Sequence, residues 1–222
     1  EIFSIAEDKN GEVWVGTDKG ICVFYSPDAV FSNENYDAQQ IKIEQDGNIQ
    51  YLLETEIVTA IAVDGANRKW IGTLNSGVYF MSSDGTQQLE HFTKENSPLF
   101  SNAISSLAIN PEDGEVFIGT DLGIISYRST ATEGVESCDI FAFPNPVNNK
   151  YEGVVAIKGL TQDASVKITD VSGSLIYQTK ALGGQAIWNG KNLKGEKAAS
   201  GVYLVFSTAA DGSERSEEHT SE

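Results

Sequence analysis

The sequence predicts an all-β protein, a partial β-propeller of about three blades followed by an immunoglobulin-like β-sandwich. Three observations predict this fold class. Glycine is abundant (21 residues) and proline is scarce (5), and short runs of Val, Ile, Tyr and Phe recur. A motif in the first half of the chain occurs three times, and short alternating apolar runs fill the second half. Many short strands joined by glycine turns account for this composition.

The repeated motif joins a short apolar run, a turn with Asp and Gly or Asn, an aromatic residue and a Gly-Thr pair. The aromatic residue of the three copies is Trp14, Trp70 and Phe117. Successive copies are therefore 56 and 47 residues apart. Periods of about 40–50 residues with about four strands each are typical of propeller blades. We expect each aromatic side chain to face the next blade. The glycine after it should leave room where neighbouring strands crowd together.

Turn residues and hairpin patterns agree with this interpretation. Asn67 stands where the other copies have Gly11 and Gly114, and Asn is among the residues that accept a positive φ. Outer hairpins are predicted over residues 41–53 and 78–92, and residues 92–104 should cross between blades. No helix is predicted anywhere in the chain.

With these motifs in place, residues 2–128 resemble the two-component regulator propeller repeat. The family phrase runs F-T, then L-x-x-N-x-I, then D-x-x-G-x-x-W-I-G-T-x-x-G, and this chain carries Phe92-Thr93, Leu99 to Ile104 and the three motif copies. The resemblance implies a propeller fragment over residues 1–128. Because propellers have about four blades or more, three blades predict a fragment. A ring completed by another copy of the chain is the alternative.

The second half of the chain is predicted to be a separate domain. Residues 129–138 are small and polar and are interpreted as a linker. Residues 139–214 contain alternating runs at 154–157, 166–168, 175–177, 186–188 and 202–206, with turn residues between them. Strands at this spacing are typical of an immunoglobulin-like sandwich.

Three phrases of this half carry a second resemblance. They are the Pro-Asn-Pro opening at 144–146 and the segments 167–177 and 188–205. Together they resemble the C-terminal sorting domain of type IX secretion proteins, in which the domain is an export signal read by outer-membrane machinery. A regulator propeller followed at once by this domain is similar to the PorZ-type surface components of that system.

Both ends of the chain suggest truncation. The chain begins without Met and inside a strand pattern, so we expect its natural start, with any signal peptide, to be missing. Sorting domains close with a further apolar and basic strand, whereas residues 215–222 read as a polar octapeptide. This octapeptide resembles the in-frame translation of a sequencing adapter and is interpreted as an artefact, with a natural polar tail as the alternative.

Charge and composition exclude some classes of function. The net charge of −17 lies mostly in residues 1–137, which hold 22 acidic and 7 basic side chains, and a nucleic-acid partner is not expected. No apolar window is long enough for a transmembrane helix. Cys22 and Cys138 are expected to be free thiols, with a disulfide between them as the less favoured alternative.

No catalytic, cofactor-binding or metal-binding residue is predicted, and no cofactor is expected. His91 and His219 lack partners at ligand spacing. Residues 8–12 resemble a calcium loop, but they match the hairpin turns of the other copies. Trp188 and Tyr203 could stack on a sugar, although filling of the sandwich core is the preferred interpretation.

The resemblances imply a non-enzymatic protein of the cell surface or outer membrane. The leading hypothesis is a component of the type IX secretion machinery whose propeller binds partner proteins and whose sandwich is recognised either by the machinery or by lipopolysaccharide. One alternative is a secreted cargo protein whose C-terminal domain is cleaved as a sorting signal. A second alternative is the periplasmic sensor propeller of a two-component system.

Overall fold

The computed structural model describes residues 1–32, 36–45, 47–136, 139–148, 150–209 and 214–215. The chain divides into two compact units. One comprises Glu1–Asn110 with Glu115–Ser129, and the other comprises Pro111–Gly114 with Thr130–Glu222. Strands dominate both units, so the all-β prediction is confirmed. Within the described part of the chain, no helix is long and apolar enough to cross a membrane.

Three antiparallel sheets of the first unit correspond to three propeller blades. Blade 1 contains β1 (Ile2–Glu7), β2 (Val13–Thr17) and β3 (Gly20–Phe24), and it is followed by a 3-10 helix (Pro27–Phe31) and the hairpin of β4 (Lys42–Gln45) and β5 (Asn48–Tyr51). Blade 2 contains β6 (Val58–Val63), β7 (Lys69–Thr73), β8 (Val78–Met81) and β9 (Gln88–Phe92). Blade 3 contains β10 (Ile104–Ile109), β11 (Glu115–Thr120) and β12 (Gly123–Arg128). The 3-10 helix corrects the expectation of a chain without helices.

The three blades share one register. Trp14 pairs across the strands with Ala6, and the equivalent pairs in the other blades are Trp70 with Ala62 and Phe117 with Ala108. A register shift near the start of the first strand occurs in all three blades. Shared register means that residues at equivalent positions point to equivalent faces of their sheets.

The turn after the first strand of each blade uses a left-handed residue. Gly11, Asn67 and Gly114 have φ values of 77°, 60° and 71°. Asn67 therefore occupies the positive-φ position that its alignment with the two glycines predicts. Asn is tolerated there because its short polar side chain can bond locally.

Two apolar clusters lie between successive blades. The first joins blades 1 and 2 and includes Trp14, Ile21, Ile71 and Met81, while the second joins blades 2 and 3 around Trp70. Trp14 and Trp70 are fully buried. Phe117, at the equivalent position of blade 3, is 41% exposed. The expectation that the aromatic residue packs on a following blade therefore holds in blades 1 and 2 but not in blade 3.

The second unit is a sandwich of two sheets. One sheet has the order β13-β14-β17 and the other β16-β15-β18-β19. The strands are β13 (Phe141–Phe143), β14 (Val155–Lys158), β15 (Ser165–Asp170), β16 (Leu175–Lys180), β17 (Ala186–Trp188), β18 (Tyr203–Thr208) and β19 (Glu214–Arg215). Alternating residues point inward from both sheets, and the core includes Ile157, Leu160, Val166 and Ile168.

The segment interpreted as a linker is partly packed, which corrects that interpretation. Ala131 and Thr132 are buried, and Thr132 forms a parallel bridge with Gly183 of the sandwich. The amide of Val135 donates to the carbonyl of Leu160 at 3.0 Å. Small residues suit this packing, because they let the backbone lie close to the sandwich. Residues 137 and 138, and with them the predicted thiol of Cys138, lie outside the described residues.

The edge of β18 carries a short partner strand. Glu214 pairs with Thr208, and Arg215 pairs with Ser207. Arg215 is the first residue of the octapeptide interpreted as an artefact, and residues 216–222 lie outside the described residues.

Candidate functional site

Carboxylates organise the hairpin turns at one end of blades 1 and 2. Asp8 Oδ1 accepts hydrogen bonds from the amides of Asn10 (2.8 Å) and Glu12 (3.0 Å). Asp64 Oδ1 accepts from the amides of Ala66 and Arg68, both at 3.0 Å. The two turns are therefore built in the same way: in each, an aspartate oxygen accepts hydrogen bonds from backbone amides of the turn, as a backbone carbonyl would. Residues 8–12 form a hairpin turn, and the calcium-loop interpretation is not supported.

A buried ion pair joins these turns across the boundary between blades. Lys69 Nζ lies 2.8 Å from Asp8 Oδ2, and both side chains are fully buried. Lys69 also donates to the carbonyls of Asn67 (2.8 Å) and Ser83 (2.5 Å), and its ammonium lies 4.6 Å from the ring centre of Trp14. The ammonium therefore has three oxygen acceptors and one aromatic face. Buried charges require such a complete set of partners.

Asn67 adds a second connection at the same boundary. Its Oδ1 accepts from the amide of Lys9 at 2.9 Å, and its Nδ2 donates to Asp8 Oδ2 at 3.3 Å. Asp8 Oδ2 is thus shared by an ammonium and an amide, both from blade 2. The arrangement fixes the position of blade 1 against blade 2.

A related pair lies within blade 2. Arg68 lies 2.8 Å from Asp64 Oδ2, stacks 4.6 Å from the ring centre of Phe80 and donates to Ser129 Oγ at 3.0 Å. The planar guanidinium can satisfy a carboxylate and an aromatic face at the same time. Arg68 therefore links the turn, the third strand (β8) and Ser129 at the end of the unit.

Burial and hydrogen bonding act in opposite directions on the pKa values of this cluster. Burial alone would raise the pKa of Asp8, but hydrogen bonds from Lys69 and from the amides of Glu12 and Asn10 outweigh it, so the pKa is lowered. Burial lowers the pKa of Lys69 although Asp8 opposes the shift. Burial, followed by the nearby charge of Asp8, raises the pKa of Glu12. Lys69 has no access to solvent, so the cluster is suited to holding the blades together.

An open cleft of about 500 Å³ lies between the β1–β2 turn and the β8–β9 turn. Burial raises the pKa of the Tyr25 hydroxyl on its wall, and the charges of Glu12 and Asp84 add to the shift. The lining is polar and consists of Asn10, Glu12, Tyr25, Gln39, Gln40, Ile41, Lys42, Ser83, Asp84 and Thr86.

The two aromatic residues considered for sugar stacking contribute to the sandwich core. Trp188 is 8% exposed and donates from Nε1 to the carbonyl of Lys191 at 2.9 Å. Tyr203 packs edge-on against it with ring centres 5.1 Å apart, and its hydroxyl bonds the carbonyl of Ala199. The face of Trp188 is therefore covered, and core filling is the interpretation that the structure supports.

Other reactive side chains are placed apart from one another. His91 stacks on Tyr79 with ring centres 3.9 Å apart and bonds the carbonyl of Ser76 through Nε2 at 2.6 Å. Cys22 is free and half-buried, and burial raises the pKa of its thiol. His219 lies outside the described residues. Among the residues that the structure describes, no three His, Cys, Asp or Glu side chains are grouped so that they could hold a metal ion.

Two protein families match parts of the chain. Residues 141–217 match the secretion system C-terminal sorting domain, and residues 1–19 match the two component regulator propeller. The sorting-domain match covers the sandwich from β13 to beyond β19. The regulator match covers the first two strands of blade 1, which contain the motif with Trp14.

Individual relatives were found for both the sequence and the structure. The chain is similar to PorZ, described as an essential surface component of the type IX secretion system of Porphyromonas gingivalis, with 37% identity, a TM-score of 0.65 and coverage of 99% of this chain and 30% of PorZ. It is 35% identical to histidine kinase P4 of Formosa agariphila over 86 residues, which is 38% of this chain and 6% of the kinase. It is also similar to the extracellular domain of a protein described as a hybrid two component system of B. thetaiotaomicron, with 21% identity and a TM-score of 0.46. This match covers 85% of the chain and 28% of that domain.

A part of the chain that matches the regulator propeller is thus followed by a part that matches the secretion sorting domain. The chain as a whole is similar to PorZ, and the resemblance inferred from the sequence is confirmed. The chain spans 30% of the length of PorZ.

Proposed function

We propose that the chain belongs to a non-enzymatic surface component of the type IX secretion machinery, which binds partner proteins through its propeller and its sandwich. The similarity to PorZ across 99% of the chain is the observation that carries the proposal. The sorting-domain match over residues 141–217 supports the same pathway independently. Because the chain spans 30% of PorZ, the partners of the whole protein are inferred from this analogy.

The location follows from the same analogy. The protein would be exported and held at the cell surface or outer membrane, where its partners would be other surface proteins of the secretion system. The sandwich is the better candidate for contact with lipopolysaccharide, because lipopolysaccharide is anionic and the acidic side chains are concentrated in the propeller. Residues 138–214 hold seven acidic and seven basic side chains, so the sandwich meets an anionic surface with less repulsion.

The sorting-domain match also favours a second candidate, a secreted cargo protein whose C-terminal domain is removed during export. The match to a histidine kinase concerns a small part of that protein and leaves a sensor propeller as a third candidate. The three candidates differ in what the loss of the gene would do to other secreted proteins.

Gene deletion distinguishes the candidates. For a machinery component, deletion should leave many type IX cargo proteins unprocessed or unanchored at once, and the intact gene should restore them. A copy lacking the codons for residues 139–214 should fail to restore them. Deletion that removes one activity and leaves other cargo proteins at the surface would support the cargo candidate instead.

The fate of the sandwich gives an independent measurement. Intact-mass analysis of surface-extracted protein should show the sandwich still attached to the propeller. Loss of the chain from about residue 137 onward would identify the domain as a cleaved signal and would contradict the proposal. Co-sedimentation of the protein with lipopolysaccharide vesicles, compared with phosphatidylcholine vesicles, tests the lipid partner separately.

A further inference from the structure

Three loops meet at one end of the sandwich, and they are residues 144–154 between β13 and β14, 171–174 between β15 and β16, and 189–202 between β17 and β18. The strand register brings them together. Val155, which follows the first loop, pairs with Trp188, which precedes the third. Asp170, which precedes the second loop, pairs with Tyr203, which follows the third. The third loop therefore joins the same end of both sheets, which we call the three-loop end.

The segment that leads into the sandwich packs on the opposite end. The amide of Val135 donates to the carbonyl of Leu160, just after β14, at 3.0 Å. The carbonyl of Thr132 accepts from the amide of Gly184, just before β17, at 2.9 Å. Both contacts lie at the strand ends that face away from the three loops. The three-loop end is therefore left uncovered by the segment through which the chain enters the domain.

Exposed apolar side chains are concentrated at the three-loop end. Among the described residues of the second unit, ten large apolar side chains are exposed, and eight of them lie in the three loops or at the strand residues that border the loops. The other two are Val135 and Phe141. The most exposed of the eight are Val171 (73%), Phe143 (68%) and Leu193 (61%). Such a concentration of exposed apolar surface marks a contact site.

Lysines accompany these apolar side chains. The three loops hold four lysines and two glutamates, within a chain whose net charge is −17. Lys191 and Lys197 stand directly opposite each other in an antiparallel bridge, and like charges at opposed positions destabilise a pair of strands. The carboxylate of Glu196, which lies between them in sequence, accepts a hydrogen bond from Asn192 Nδ2 at 3.1 Å. An anionic group bound at this hairpin would relieve the repulsion between the two ammonium groups.

We propose that the three-loop end docks onto an anionic lipid surface. The side chains of Val171 and Leu193 enter the boundary of the acyl chains, and Lys191, Lys194 and Lys197 contact headgroup phosphates. This inference gives a location to the lipid contact of the proposed function, and it rests on the cell-surface location proposed there.

The composition of the three-loop end favours a lipid surface over a protein partner. Lysine is depleted in the cores of protein interfaces, whereas apolar side chains flanked by lysines are typical of contacts with anionic membranes. At an ionic strength of about 0.15 M, charges more than about 8 Å away are largely screened. The local excess of lysine therefore determines the attraction, and the acidity of the propeller opposes it little.

Co-sedimentation of the full chain with vesicles tests the role of the lysines. The wild type should bind phosphatidylglycerol vesicles and should bind phosphatidylcholine vesicles much more weakly. The triple variant Lys191→Gln, Lys194→Gln, Lys197→Gln should lower the partition coefficient on phosphatidylglycerol by about tenfold or more, because each basic residue near an anionic surface contributes about fivefold. The matched control changes the net charge equally on strands β14, β15 and β16 and should bind like the wild type. It is the triple variant Lys158→Gln, Lys167→Gln, Lys180→Gln.

A second pair of variants tests the apolar contact. The double variant Val171→Ser, Leu193→Ser should lower the partition coefficient on phosphatidylglycerol by about tenfold, because less apolar surface leaves water. The control Val30→Ser, Leu122→Ser makes the same changes at propeller residues that are also exposed and should have little effect. Circular dichroism should show that all variants keep the wild-type fold. Wild-type binding by both loop variants, or equal binding of the wild type to the two lipids, would overturn the proposal.

A fluorescent label reports which part of the chain meets the lipid. In a Cys22→Ser, Cys138→Ser background, a polarity-sensitive dye on Leu193→Cys should shift its emission to the blue when phosphatidylglycerol vesicles are added. The same dye on Leu122→Cys should not shift. Equal shifts at the two positions, or no shift at Leu193→Cys, would contradict docking by the three-loop end.

Two further measurements separate this inference from its alternatives. Glycerol phosphate in solution should leave vesicle binding in place, and complete competition by it would show a site for a soluble phosphate and overturn docking on a surface. Binding to lipopolysaccharide vesicles that persists in both loop variants would overturn the proposed location while leaving the lipid partner of the proposed function intact. The role in secretion is decided separately, by the gene deletion described above.

Discussion

Lys69 illustrates how one buried residue can define the boundary between two blades. Its ammonium bonds a carboxylate of blade 1 and two carbonyls of blade 2 while lying over Trp14. The attraction between two buried charges is offset by the cost of removing them from water. The pair therefore contributes to the specific arrangement of the blades at least as much as to the free energy of unfolding.

Removing one partner of this pair should be costly. Asp8→Asn or Lys69→Met should each lower the free energy of unfolding by about 3 kcal/mol, because the remaining group loses its partner in a buried position. The double variant should lose less than the sum of the two single variants. Urea unfolding measures these values, and Asp18→Asn, in an exposed pair with the N-terminus, is the control that should change little. Additive losses would show that the pair is not coupled.

The lowered pKa of Asp8 predicts a specific acid response. A carboxyl whose folded pKa lies below its unfolded value of 3.8 stabilises the fold above that value and loses this contribution as the pH falls through the folded pKa. The difference in unfolding free energy between the wild type and Asp8→Asn should therefore be steady well above pH 3.8 and shrink as the pH falls below that value. A difference that does not change as the pH falls below 3.8 would contradict the assignment.

Among the elements, the second strand of each blade is where neighbouring blades approach most closely. β2 and β7 place a tryptophan and, two residues later, a glycine on the face toward the next blade. The tryptophan fills the outer part of the interface and the glycine leaves space for the inner strand of the next blade. In β7 the crowding concerns Ile104, whose Cγ2 would lie 2.5 Å from a Cβ on Gly72.

Gly72 should accordingly be intolerant of a side chain. Gly72→Ala should lower the free energy of unfolding by about 1–3 kcal/mol because the new methyl group overpacks the interface. Gly119→Ala is the matched control, since a Cβ there would chiefly meet the hydroxyl of Ser106, a side chain that can rotate. Urea unfolding of dilute samples compares the two, and equal losses would show that crowding by blade 3 is not the cause.

At the scale of the whole molecule, the apolar cores are separate. The sandwich core surrounds Leu160, and the two propeller clusters surround Trp14 and Trp70. Each core is formed by residues of its own unit. Separate cores favour separate cooperative transitions.

Calorimetry should therefore resolve two unfolding transitions. Leu160→Ala should lower the free energy of unfolding of the sandwich, and Ile71→Ala should lower that of the propeller, each by about 2–5 kcal/mol because a fully buried side chain is truncated. The midpoint temperature of the corresponding transition should fall. Each substitution should leave the other transition in place. If either substitution moves both transitions together, the two units unfold as one.

The sequence by itself determined the features that depend on local chemistry. The repeat placed Trp14, Trp70 and Phe117 at equivalent positions of their blades. Because Asn67 aligns with Gly11 and Gly114, the sequence also predicted a positive φ at Asn67. Alternation located five strands of the sandwich, and the PorZ resemblance followed from the motifs. These features are predictable because turn preference and strand periodicity act over a few residues.

Tertiary structure alone decided the features that depend on distant residues. Lys69 begins a strand and would be expected in solvent, yet it is buried because Asp8, 61 residues away, supplies its counter-charge. The small residues of segment 129–138 predict a linker, but backbone hydrogen bonds of Thr132 with Leu182 and Gly184, and of Val135 with Leu160, pack part of it against the sandwich. Phe117 carries the same sequence signal as Trp14, but within the described residues blade 2 covers Trp14, whereas Phe117 is 41% exposed. Burial is a property of the assembled chain, so the local pattern could not supply it.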